Sequence, residues 1–282
     1  MPDQATPLLS VRNLTVTFPS LHASAPAVRG VNFDVGREKV GIIGESGSGK
    51  STTGRALMRL LPKATRITAD RLQFRGEEIL PLSDRRMREI RGHSMAMILQ
   101  DPKYSLNPVM TVGEQIAETA ILHEKLSRRA ARERTLEMLE KVHIREPERV
   151  MGLYPHEVSG GMGQRIMISM MLITRPALII ADEPTSALDV SVRQQVLAIL
   201  DELVSANNMG LLFISHDLNL VRSFCDRVLI MFGGRIVEEL PASQLEQASH
   251  PYTRGLLEAL PSLLHPKDRL AVLRRDPAWA EG

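Results

Sequence analysis

Gly44-Glu45-Ser46-Gly47-Ser48-Gly49-Lys50-Ser51 decides how this chain is read. It fits the pattern G-x-x-x-x-G-K-[ST]. Before it, Val40-Gly41-Ile42-Ile43 is a short apolar run of the kind that forms a buried strand. After it, residues 50–61 recover helical spacing, with Ala56, Leu57, Leu60 and Leu61 on one side and Pro62 as the stop. A flexible Gly/Ser turn would not need a strand on one side and a helix on the other. Glycines at 44, 47 and 49 let the backbone wrap phosphate oxygens with N–H donors. The helix start adds a field that favours anions. Lys50 is a point charge for the β- and γ-phosphates, and the Ser51 hydroxyl suits Mg²⁺. With Glu45, Ser46, Ser48 and Thr52, these residues form the expected nucleotide cradle.

A second segment supplies acid groups. Leu178-Ile179-Ile180-Ala181 is an apolar strand that delivers Asp182 and Glu183 at its C-terminal end. Asp182 suits a Mg²⁺ ion held mostly through water. Glu183, one residue on, can polarise a water for in-line attack on a γ-phosphate. By itself such a strand end is commonplace. Together with the Gly-rich loop it makes a P-loop NTPase the expected fold, of class α/β.

The subclass comes from Val158-Ser159-Gly160-Gly161-Met162-Gly163-Gln164. Here the chain resembles the ATP-binding subunits of ABC transporters, whose signature segment precedes the metal-binding strand. Ser159, Gly160, Gly161 and Gln164 match it, and a Gly-rich helix start leaves N–H groups open to phosphate. The resemblance extends to other positions in chain order. Gln100 matches the glutamine that senses Mg²⁺ and the attacking water. Ser186-Ala187-Leu188-Asp189 matches the loop in which Asp189 contributes to the nucleotide site. His216, after the strand Leu211–Ser215, matches the histidine that contacts the γ-phosphate, and Phe18 is placed like the aromatic that stacks on adenine.

Within that family the chain is most similar to oligopeptide, dipeptide and nickel importer subunits. Four stretches carry this: Gly44–Lys50, Gln100–Pro108, Tyr154-Pro155-His156-Glu157 before the signature, and His250-Pro251-Tyr252-Thr253 near the C-terminus. Two features depart from the family pattern. Gly163 stands where relatives carry a basic residue, and the tail lacks the cysteines of an iron–sulfur site, so no cluster is expected. The resemblance implies a RecA-like core with an antiparallel β-subdomain and an inserted α-helical subdomain at about 101–159. The nucleotide-binding domain is then 8–245 and a C-terminal extension 246–282.

It also implies how the chain works. ATP lies between two such domains, the partner being a copy of this chain or a paralogue. Two transmembrane permease subunits dock on the helical insertion around Tyr104–Pro108, and a periplasmic solute-binding protein acts through them. That places the chain at the cytoplasmic face of a bacterial inner membrane, as a peripheral subunit.

Composition narrows the rivals. The formal net charge of the 282 residues is only +2, without the concentrated basic face of a nucleic-acid binder. The clearest basic run, Arg128–Arg134, is interrupted by Glu133 and reads as a solvated helix face or a phosphate contact. One cysteine, Cys225, allows no internal disulfide and suits a reducing compartment. No basic-then-apolar leader opens the chain, and no stretch reaches the roughly 18 apolar residues of a membrane span. A ribosome- or DNA-acting ABC ATPase and a P-loop kinase remain the alternatives. The first would add nucleic-acid elements, and the second would need neither Ser159–Gln164 nor His216.

The remaining elements are expected from local pattern. Residues 8–18 read as an edge strand or hairpin arm and 27–35 as a second strand. Helices are expected near 111–122 and 128–142, the second with Leu136, Leu139 and Val142 as its apolar stripe. Val190–Val204 is a helix, and Gly233-Gly234 turns a hairpin between Val228–Phe232 and Arg235–Leu240.

Overall fold

A computed structural model describes residues 6–19, 26–102, 105–260, 276 and 279. Tyr104 therefore lies outside the described residues, as does most of the chain beyond Leu260. In chain order the elements begin β1 (Leu9–Thr17), β2 (Val28–Val35), β3 (Lys39–Ile43) and α1 (Lys50–Leu57). Then come β4 (Arg66–Thr68), β5 (Arg71–Phe74), β6 (Glu77–Glu78), α2 (Asp84–Ile90) and β7 (Met95–Ile98). Helices follow: α3 (Val112–Glu124), α4 (Arg128–Lys141), α5 (Pro147–Val150) and α6 (Gly160–Leu172). The chain continues through β8 (Leu178–Asp182), α7 (Val190–Ala206), β9 (Gly210–Ser215) and α8 (Leu218–Phe224). It ends in β10 (Arg227–Phe232), β11 (Arg235–Pro241) and α9 (Pro251–Glu258).

These elements fall into two compact units. One comprises Met1–Pro81 and Leu212–Gly282, the other Leu82–Leu211. In the first, an antiparallel sheet runs β2-β1-β5-β6, with β4 also paired to β1. The strand at 8–18 is thus a hairpin arm, paired with β2, but not an edge. Its other side is covered by β4 and β5, short strands from a stretch with no clean alternation. The same unit holds a second strand set. There β3 lies parallel to β10, and β10 turns back antiparallel to β11. Gly233 and Gly234 have φ of 55° and 86°, the two left-handed residues a tight hairpin turn needs.

Helix α1 is shorter than the sequence suggests. It ends at Leu57, with Arg59 left-handed at φ 49°. The Arg59 N–H donates to the Ala56 carbonyl and the Leu60 N–H to that of Arg55, both at 2.9 Å. This paired C-terminal motif stops the helix before Pro62 is reached. It also turns Leu60 outward, 46% exposed, whereas Ala56 and Leu57 are fully buried.

In the second unit, β7 and β8 pair in parallel, Met95 opposite Leu178 and Ile98 opposite Ala181. The described residues of 101–159 contain helices and no strand. A capping box starts α3: the Thr111 side chain accepts from the Glu114 N–H, and the Glu114 carboxylate accepts the Thr111 N–H at 2.9 Å. Ser127 caps α4, and α3 packs on both α4 and α6. The buried stripe of α4 is Ala131, Thr135, Met138 and Leu139, continuing to Val142, while Leu136 is only half-buried. Thr135 can take the core position because its hydroxyl donates back to the Ala131 carbonyl at 2.8 Å.

Candidate functional site

The first unit holds the phosphate cradle. Strand β3 ends at Ile43, and α1 begins at Lys50 with Gly49 as its cap, left-handed at φ 106°. As a glycine, the cap has no side chain to claim the first N–H groups, which suits an anion site. Lys50 is only 5% exposed, and its Nζ donates to the carbonyls of Gly44 at 2.7 Å and Glu45 at 2.8 Å. The ammonium is thus folded over the loop. The Ser48 Oγ is buried and without a hydrogen-bond partner, and the Ser48 carbonyl accepts the Gly234 N–H at 3.0 Å. A buried polar atom left open beside a buried cation suits a polar, anionic guest.

Glycine is needed at two positions here for space. A Cβ on Gly44 would lie 2.1 Å from the Met231 carbonyl oxygen, and one on Gly49 2.6 Å from that of Ala27. Backbone cannot yield as a side-chain tip can. Gly44→Ala is therefore expected to cost about 1–3 kcal/mol, read as a lower urea midpoint at unchanged slope. Two further candidates belong to this unit. Phe18 lies just beyond β1 and is 37% exposed, and His216 is exposed just after β9.

The second unit holds the acid groups and the signature segment. Strand β8 carries Asp182, 3% exposed, at its last position. Glu183 follows in the left-handed region at φ 49°. A non-glycine residue held there costs of order 1 kcal/mol or more and persists only where the surroundings impose it. The Gln100 Nε2 donates to the Glu183 Oε2 at 3.4 Å, so two residues 83 positions apart meet. Strands β7 and β8 bring this about: each ends just before one of the two residues.

Ser159 caps α6, its hydroxyl accepting from the Met162 N–H at 3.4 Å. Ser159 and Gly160 are exposed, while Gln164 is buried with its Nε2 unpartnered. A Cβ on Gly161 would meet the Val192 Cγ1 at 2.6 Å, so this glycine lets α6 approach α7. Asp189 caps α7. Its Oδ1 accepts the Val192 N–H at 3.0 Å and the Ser191 hydroxyl at 2.8 Å. Those donors, the Val192 N–H first, hold its carboxyl below the usual range.

Gly163, the departure from the family pattern, is buried. Pro102 would lie 3.7 Å from a Cβ there, an ordinary contact. It lines a cleft of about 390 Å³ with Pro102, Leu106, Pro108, Pro155 and Ser159. Burial pushes the Cys225 thiol up to about 12, which disfavours a reactive thiolate at neutral pH. No group of metal-ligating side chains converges among the described residues. No described helix is long and apolar enough to cross a membrane.

One contact of the cradle escaped sequence reading. The Glu45 N–H donates to the Tyr252 Oη at 3.0 Å, across 207 positions. Its only signal was the motif His250-Pro251-Tyr252-Thr253, which by itself carries no chemistry.

Comparison with known proteins gives the family. The family described as ABC transporter matches residues 28–186, more than half of the chain. The probable peptide ABC transporter ATP-binding protein y4tR of Sinorhizobium fredii is 48% identical over 257 residues, 90% of this chain and 77% of that protein. The oligopeptide transport ATP-binding protein OppD of Bacillus subtilis is 43% identical over 263 residues, 92% of this chain and 74% of that one. Among solved structures, the ATP-binding cassette MJ0796, described as a dimer in a post-hydrolysis state bound to ADP and Pi, superposes with a TM-score of 0.72. It is 27% identical and covers 83% of this chain and 98% of its own.

Proposed function

This chain belongs to the ABC transporter family as an ATP-binding, ATP-hydrolysing cassette, and from that premise we propose that it energises a bacterial importer of peptides or a related small solute, nickel included. The observation that carries the solute class is the identity of 43–48% with peptide-transport ATPases over nine-tenths of the chain.

In this reading Gly44–Thr52 cradles the triphosphate, with Phe18 against the adenine. Ser51, Asp182 and Gln100 would hold Mg²⁺, which would offset the charge of the phosphates. Glu183 is the base that polarises the attacking water, Gln100 orients it, and His216 meets the γ-phosphate. Ser159, Gly160 and Gly161, with Gln164 behind them and Asp189 beside them, complete the nucleotide site of a second ATPase subunit. That subunit is a copy of this chain or a paralogue, and the dimeric state of the cassette MJ0796 supports such pairing. Each γ-phosphate gains donors from both subunits only when they close, so ATP biases a two-state clamp and its hydrolysis releases it. The segment 101–159 engages two permease subunits, which receive solute from a periplasmic binding protein. The chain then sits peripherally on the cytoplasmic face of the inner membrane, and residues 246–282 form an extension to the nucleotide-binding domain of 8–245.

Affinity purification of the full chain from membranes and from ribosome pellets tests this. Co-purification with polytopic permeases, and ATPase activity stimulated by a loaded peptide-binding protein in vesicles, is the expected result. Sedimentation with ribosomes and no permease would overturn it.

A further inference from the structure

The motif His250-Pro251-Tyr252-Thr253 has no part in the nucleotide chemistry described so far, yet the fold invests several contacts in placing it. Glu238, in β11, gathers the turn that leads into α9. Its Oε1 accepts the Ser249 N–H at 2.7 Å, the Ser249 hydroxyl at 3.0 Å and the His250 N–H at 3.2 Å. Burial alone would push the Glu238 carboxyl up, but the Thr253 hydroxyl first, and then these donors, outweigh it and hold it below its ordinary value. His250 then caps α9: its Nδ1 accepts the Tyr252 N–H at 3.2 Å. Pro251 occupies the first helical position, where a missing N–H costs nothing.

The result is a tyrosine driven inward. Tyr252 is fully buried. Its ring centroid lies 4.5 Å from that of Phe232 and 6.1 Å from that of Trp279, and Trp279 lies 5.9 Å from Phe232. This aromatic trio reaches the phosphate loop by two routes. Phe232 immediately precedes the Gly233-Gly234 turn, whose second N–H donates to the Ser48 carbonyl at 3.0 Å. Tyr252 goes directly: its Oη accepts the Glu45 N–H at 3.0 Å.

We propose that Tyr252 is a positioning residue for the phosphate loop, tying the C-terminal extension to the Glu45 amide so that the loop is held ready for nucleotide and the extension responds when nucleotide binds. The proposal rests on the reading of Gly44–Ser51 as an ATP cradle. Phosphate binding depends on where the loop's N–H groups point, and Glu45 is the second residue of that loop. A rigid, buried acceptor on its amide removes conformers that the loop would otherwise lose on binding, which raises affinity by preorganisation.

Tyr252→Phe is the decisive variant, because it keeps the ring in its stack and removes only the hydroxyl. Trp279 is the sole tryptophan, so intrinsic fluorescence of the full chain reads the extension without a label. In the wild type, saturating ATP is expected to change Trp279 emission. In Tyr252→Phe, KM for ATP should rise about two- to tenfold, the effect of one net hydrogen bond, with kcat within about twofold of wild type. The emission change at saturating ATP should shrink by about half or more. A purely structural tyrosine would lower the melting temperature and leave KM and the fluorescence response alone, and that outcome would overturn the proposal. An unchanged variant would overturn it too. A wild-type chain that binds no ATP overturns the cradle itself. Wild-type binding with an unmoved KM in Tyr252→Phe overturns the tether alone.

Discussion

Glu183→Gln is expected to bind ATP with a Kd within about threefold of wild type while its turnover falls about 10²–10⁴-fold, the range a positioned general base contributes. The substitution is nearly isosteric and keeps an oxygen where the Gln100 Nε2 donates at 3.4 Å. What it removes is the carboxylate's ability to take a proton from water. Binding is retained because the proposed phosphate ligands lie in Gly44–Ser51, not in this side chain. The backbone at Glu183 sharpens the argument. A left-handed φ of 49° directs a charged side chain from the end of a fully buried strand, at a cost that the surroundings must impose. Steady hydrolysis near the wild-type rate in this variant, with single-turnover kinetics to exclude contamination, would remove Glu183 from the role of base.

How much of this was legible in the sequence depended on range. Local patterns served well: the strand–loop–helix around Lys50, the Gly233-Gly234 turn and the helices near 111–122 and 128–142 all follow from residues a few positions apart. Three features did not. Arg59 ends α1 by adopting a left-handed conformation, which a periodic run of leucines conceals. Thr135 displaces Leu136 from the buried stripe of α4 because its hydroxyl is satisfied within its own helix. Strand β1 is interior because β4 and β5 cover it, and those strands are only three and four residues long. Pairing partners of such strands are set by tertiary packing, not by propensity.

The candidate site shows the same division. Residue identities at Lys50, Asp182, Glu183 and Ser159 were readable because each motif is contiguous. The meeting of Gln100 with Glu183 needed the parallel register of β7 on β8. The meeting of Glu45 with Tyr252 needed the aromatic stack and the Glu238 anchor. Neither contact leaves a periodic trace. A motif whose chemistry is obscure, such as His250–Thr253, is then best understood by asking which main-chain group its buried polar atom reaches.

Lys50→Ala is expected to weaken ATP binding by about 10²-fold, near 3 kcal/mol, at the upper end of what charge-assisted hydrogen bonds contribute. The side chain is almost fully buried, and its ammonium donates to the carbonyls of Gly44 and Glu45. Those partners are neutral, so arriving phosphates exchange ion–dipole contacts for ion–ion contacts in a partly desolvated site, where the difference is largest. The variant also leaves two loop carbonyls short of a donor, and some loss of stability is expected. Nucleotide selectivity separates the two effects. If Lys50 meets the β- and γ-phosphates, calorimetry should show the large loss for ATP and little loss for AMP, which lacks both. A collapsed loop would weaken both nucleotides alike. Unchanged ATP affinity in Lys50→Ala would instead mean that the buried ammonium serves only to fasten Gly44 and Glu45, and that phosphate is held by the backbone alone.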